Sequence, residues 1–160
     1  MTLSSSPNTD HSLVGEALLE LVKDILSKGL ECRFQAKGQS MSPFIKDGDI
    51  VTIFPLTSSS PGVGDVVAFN HPENEKLIIH RVVKKRNNDY YVRGDNALEA
   101  DGIVQTRDIL GYVNKVERNG KKVWIGLGPE RFLIAFLNRR GLIYPLLSPI
   151  RKMIRSFVRL

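Results

Sequence analysis

Three segments of this chain carry side chains that can do covalent chemistry. The first is Gly38-Gln39-Ser40-Met41-Ser42-Pro43, which places a serine in a Gly-started turn, with Asp47-Gly48-Asp49 and an apolar run after it. The second is Ile78-Ile79-His80-Arg81-Val82-Val83, a histidine in an apolar segment. The third is Arg93-Gly94-Asp95-Asn96, with Asp101 shortly beyond. A serine hydroxyl is a poor nucleophile until a base within hydrogen-bond reach takes its proton. His80 suits that role, because burial and a neighbouring carboxylate can tune an imidazole. A carboxylate fixes the tautomer and stabilises the imidazolium. Asp95 and Asp101 are both candidates for it. Taken singly, each residue has a structural explanation: Ser and Asp form turns, and a histidine in an apolar strand packs in a core. In order, they offer a nucleophile, a base and a carboxylate.

Such groups need a scaffold, and the sequence outlines one. Residues 1–10 are polar and read as a disordered tail. Leu13, Val14, Ala17, Leu18, Leu21, Val22, Ile25 and Leu26 recur at helical spacing, so an amphipathic helix is expected over residues 11–30, capped by Asp10 or Ser12 and ended by Gly29. From residue 31 the texture changes to short apolar runs bounded by turn residues. Strands are expected over 32–36, 50–54, 66–69, 77–84, 90–93, 109–118 and 121–125. Asn119-Gly120 is the strongest hairpin signal. No helices alternate with these strands, so residues 31–125 read as a mainly β, antiparallel domain rather than a parallel sheet. Residues 126–160 are expected to form a basic, amphipathic, helical segment.

The chain has 160 residues and a net charge of +6. From residue 129 on, Arg131, Arg139, Arg140, Arg151, Lys152, Arg155 and Arg159 face only Glu130, so that stretch holds the whole excess. Cys32 is the single cysteine, which excludes an internal disulfide and a Cys-based zinc site. The start of the chain lacks the basic residues and apolar run of a secretory signal, and no uninterrupted apolar stretch is long enough to span a bilayer. The expectation is a cytoplasmic protein, peripheral to an anionic membrane through residues 129–160, with Ile150, Met153, Ile154, Phe157 and Val158 as the apolar face. Nucleic acid is not an expected partner, since aromatic interleaving is sparse. No cofactor or metal is expected.

The ordered blocks Gly-x-Ser-Met-x-Pro, Gly-Asp-x-Val, Gly-Asp-Val-Val-x-Phe, His-Arg-Val-Val and Arg-Gly-Asp-Asn with a following Asp resemble the type I signal peptidases and the related LexA-like self-cleaving repressors. The resemblance spans about residues 36–116. It implies a barrel-like β domain flanked by helices, and a serine endopeptidase with Ser40 as nucleophile. Housekeeping bacterial members use a lysine base; the block here has His80 and is similar to the Ser–His branch of the endoplasmic reticulum and spore formers. In that branch Asp101 matches the third catalytic residue, and Asp95 is a supporting carboxylate. Met41 follows the nucleophile, as in the family. Where many signal peptidases place an oxyanion-hole serine, this chain has Gly38, so backbone N–H groups, including that of Ser40, must meet the oxyanion. Lys84 is a poor alternative base: strand rise puts it about 13 Å from His80. The resemblance implies an extended peptide or preprotein substrate, bound by strand addition and cut after a small residue. Two alternatives stay open: a self-cleaving or partner-specific regulatory peptidase, and a non-catalytic peptide-binding module on the same fold.

Overall fold

The computed structural model describes residues 8–57, 60–143 and 145–146. Helix α1 (Asn8–Ser27) opens the chain. Asn8–Asp10 are therefore helical, which shortens the polar tail expected from the sequence. The helix ends as read from the sequence: Gly29 takes φ +75°, its N–H donates to Leu26 O, and the Leu30 N–H donates to Ile25 O. Only glycine enters that left-handed region without a Cβ penalty. The buried face of α1 differs from the expected one. Leu19, Val22 and Leu26 are buried, with Ile25 packed beside them, while Leu21 is more than half exposed. The helix is apolar around more than one stripe, so packing chose among registers that the 3.6-residue period allowed.

Eight strands follow: β1 (Cys32–Gln35), β2 (Ile50–Pro55), β3 (Val66–Asn70), β4 (Leu77–Arg86), β5 (Asp89–Arg93), β6 (Ile103–Gln105), β7 (Ile109–Arg118) and β8 (Lys121–Val123). They form one sheet in the order β1-β2-β7-β3-β4-β5-β6, with β8 hairpinned onto β7. Every pairing is antiparallel. The fold is a mainly antiparallel β half-barrel with helices before and after it. The predicted β7–β8 hairpin is present, with positive φ at both Asn119 and Gly120, the backbone of a type I′ turn. The sequence reading missed β6, whose three residues are too few to show a period.

Register shifts between Thr52 and Ile53, between Ala68 and Phe69, and between Val82 and Lys84 coil the sheet. At Gly111, on β7, a Cβ would lie 2.4 Å from Phe54 O, so the strands approach there only because the residue is glycine. Two apolar clusters fill the fold. Val22 and Leu26 of α1 close one, over Met41, Ile45, Val51, Ile53, Val66 and Val113. Val67, Phe69, Val82, Tyr90, Val92 and Val104 make the other. Helix α2 (Arg131–Arg139) packs against β4 and buries Ile134, Ala135 and Asn138. Residues 147–160, on which the apolar face Ile150 to Val158 was read, lie outside the described residues.

Candidate active site

Ser40 sits at the surface in the turn that follows β1. His80 sits inward on β4 and is 6% exposed. Ser40 Oγ lies 2.8 Å from His80 Nε2, and His80 Nδ1 is hydrogen-bonded to Asp101 Oδ2. With Nδ1 carrying the proton toward the carboxylate, Nε2 is the acceptor for the Ser40 hydroxyl proton. The structure thus brings together three residues that are 40 and 21 positions apart. The two carboxylates left open by the sequence divide cleanly. Asp101 meets the imidazole. Asp95 turns away and receives Arg81 Nε at 2.9 Å and Nη2 at 2.7 Å.

Each of these side chains is placed by local structure. The Gly38 N–H donates to Asp47 Oδ1 at 2.8 Å, and φ is +89° at Gly38, so the chain turns sharply into the serine. That N–H is therefore engaged. Those of Ser40 and Met41 have no acceptor among the described residues, which leaves them free to face an oxyanion. Met41 is buried in the core below the turn. The loop after β5 clamps the turn from the other side. The Asn96 N–H donates to Ser40 O at 2.7 Å, and Asn96 Nδ2 to Gln39 O at 2.9 Å. The loop then folds back: the Asp101 N–H donates to Val92 O, and Arg93 donates to Ala97 O and Leu98 O. This return brings Asp101 alongside His80.

Three residues support the site in roles that the sequence did not show. Gly94 is one. A Cβ there would lie 2.6 Å from Ser40 O and 2.9 Å from His80 Nε2, so only glycine lets these segments meet. Arg81, fully buried, is another. Besides Asp95 it donates to Gly64 O and Gly126 O, both at 2.8 Å. A buried charge must be paired and hydrogen-bonded, and here it is. The third is Asn138 on α2, whose Nδ2 donates to Asp95 Oδ1 at 2.9 Å. The signal for Arg81 was its place inside an apolar strand; nothing in the sequence pointed to Asn138. Lys84 stays away from the site. β4 bulges at Val83, between His80 and Lys84, and Lys84 Nζ stacks over the Tyr91 ring.

A cavity of about 400 Å³ opens beside the pair. Its walls are largely apolar, from Leu18, Phe34, Met41, Ile45, Leu77 and Ile79, and it reaches Ser40 and His80. Two strand edges border it. Among the described residues β1 pairs only with β2, and residues 77–80 of β4 pair only with β3, since β5 joins β4 from Arg81 onward. Backbone groups along both edges are left to a further strand.

A surface serine, a histidine at hydrogen-bond distance and a carboxylate on the far ring nitrogen have the geometry of Ser–His–Asp hydrolases. The chain belongs to the Peptidase S24-like family of serine peptidases, within the LexA and signal peptidase superfamily: that family's model matches residues 6–116, most of the chain. No curated protein matches it.

Proposed function

We propose that this protein is a serine endopeptidase of the Ser–His type, with Ser40 as nucleophile, His80 as general base and Asp101 as the carboxylate that orients it. The observation that carries this reading is the 2.8 Å approach of Ser40 Oγ to His80 Nε2, with Asp101 on Nδ1. An extended peptide enters as an added strand between the free edges of β1 and β4, with alternate side chains in the apolar cavity. Ser40 Oγ attacks the scissile carbonyl while its proton passes to Nε2. The N–H groups of Ser40 and Met41 stabilise the oxyanion. The imidazolium then gives that proton to the leaving amine, and the C–N bond breaks. Water, deprotonated by His80, attacks the acyl-enzyme ester and releases Ser40.

The substrate we propose is a peptide or preprotein with a small residue before the cut bond, as in signal-peptide processing. A fluorophosphonate probe should label the purified chain at Ser40, and Ser40→Ala should not be labelled. A peptide with Ala-x-Ala before the bond should be cut in trans. Loss of Ser40 or His80 should lower that rate by at least about 10³-fold. A folded chain whose Ser40 takes no label would remove the enzymatic reading and leave a peptide-binding module. A discrete shorter product from the chain alone, absent in Ser40→Ala, would favour self-cleavage over a preprotein substrate.

A further inference from the structure

Helix α2 has two opposite faces. Ile134, Ala135 and Asn138 are buried against the sheet, whereas Phe132, Leu133 and Phe136 are each more than half exposed. By helical periodicity the second set lies across the helix from the first. Earlier in the same stretch of chain, just after β8, Trp124 is 71% exposed and Ile125 is 66% exposed. The turn between β8 and α2 is drawn tight, because Glu130 Oε1 accepts the N–H groups of both Gly126 and Gly128. That turn ties the backbone just after Ile125 to Glu130, the residue before α2. Five large apolar side chains thus stand in water along one stretch of chain, where isolated exposed ones are ordinary.

The charges on this stretch are mostly positive, and Arg131 is paired with Asp65 Oδ1 at 3.4 Å, which leaves Lys121, Lys122, Arg139 and Arg140 as its surface cations. Residues 121–146 contain Lys121, Lys122, Arg131, Arg139 and Arg140, and Glu130 is the single acid. Glu130 is turned inward onto the glycine N–H groups, which hold its carboxyl below the usual range. Each exposed aromatic ring carries a cation. Lys122 Nζ lies 3.9 Å from the Trp124 ring centroid, Arg131 lies 4.9 Å from that of Phe132, and Arg140 lies 5.0 Å from that of Phe136. Long cationic side chains laid over aromatic bodies suit the boundary between headgroups and acyl chains, with rings inward and charges outward.

We propose that Trp124, Ile125 and the outer face of α2 form a docking surface for an anionic lipid bilayer. Charge selects this occupant. Residues 147–160 carry Arg151, Lys152, Arg155 and Arg159 and no acidic side chain, so folding them onto this patch sets like charge against like. A second copy brings the same positive patch. An anionic bilayer takes up the apolar rings and neutralises the cations together. This proposal stands apart from the chemistry of Ser40.

Trp124 is the only tryptophan, so its emission reports directly on the patch. With the full chain, vesicles of phosphatidylcholine containing phosphatidylglycerol should shift the emission to the blue, and brominated lipid should quench it. Pure phosphatidylcholine should bind far less, and raised salt should weaken the binding. Arg139→Glu/Arg140→Glu, and separately Phe132→Ser/Phe136→Ser, should each reduce vesicle co-sedimentation by at least about tenfold. Circular dichroism would verify that these variants stay folded. Absence of any shift with anionic vesicles would overturn the proposal. So would emission that is already blue in the free chain and moves red when residues 147–160 are removed, because the tail would then cover the patch. A concentration-dependent shift without vesicles would assign the face to a second copy. Co-sedimentation that survives both double variants but is lost with residues 147–160 would assign membrane binding to the tail.

Discussion

His80 is held from two sides, and each side can be tested alone. Asp101→Asn keeps the shape but offers an amide where the imidazole needs a carboxylate. It should lower the peptidase rate by roughly 10²–10⁴-fold with little change in stability. Asp95→Ala should do the reverse in stability: it leaves Arg81 buried without its counter-charge and should cost about 3–5 kcal/mol in a denaturant titration. If the two variants behaved alike, the division between an orienting and a structural carboxylate would fail. Gly94→Ala probes the contact itself. Its Cβ would have to displace Ser40 O or the imidazole, and both are fixed by neighbours. Fluorophosphonate labelling of Ser40 should slow at least about tenfold, in line with the cost of misplacing a reacting atom by an ångström or so.

At the scale of elements, α1 and α2 press on the half-barrel from different sides and do different things. α1 seals the core beneath the Ser40 turn through Val22 and Leu26, and its Leu18 reaches the wall of the cavity. Leu26→Ala should cost about 2–5 kcal/mol. Leu21→Ala, on the exposed side, should stay within about 0.5 kcal/mol of the parent. Equal losses would mean that the helix sits in the register the sequence suggested. α2 ties its buried face to the loop that carries the two carboxylates. Asn138 bonds Asp95, and Arg93 Nη1 bonds Asn138 O at 3.1 Å.

Across the whole molecule, the long-range ion pair Asp49–Arg118 joins the turn before β2 to the end of β7. Arg118 Nε and Nη2 reach the two carboxylate oxygens at 2.8 and 2.7 Å, and Nη2 also bonds Phe44 O. Burial pushes the Asp49 carboxyl upward. The Arg118 hydrogen bonds and charge, with the Lys46 N–H, outweigh that and hold it below the usual carboxylate range. A carboxyl whose folded pKa is depressed adds stability above its unfolded value and loses it as pH falls through the folded one. The pair should therefore contribute fully at neutral pH and fade below about pH 4. In Asp49→Asn the stability should be lower at neutral pH, and its fall below that point should be shallower. An unchanged acid slope, followed by urea titration at several pH values, would show that other carboxyls govern acid unfolding. Among the described residues no helix is long and apolar enough to cross a membrane.

Much of this protein was legible before folding. Short apolar runs between turn residues specified antiparallel strands, Asn119-Gly120 specified its hairpin, and Gly29 the end of α1, because these are local backbone preferences. The serine, histidine and Asp101 were nameable from their ordered motifs. What tertiary structure alone decided was proximity. Choosing Asp101 over Asp95 required the loop after β5 to fold back onto Val92, and the role of Asp95 required Arg81 to be buried beneath it. The close approach of Ser40 and His80 to Gly94, the bond from Asn138 to Asp95 and the bulge at Val83 have no local signature, since each depends on what arrives from elsewhere in the chain. The buried face of α1 was likewise settled by the surface it met. Backbone preference is written along the sequence, but contact between residues 40, 80 and 101 exists only once the sheet has coiled.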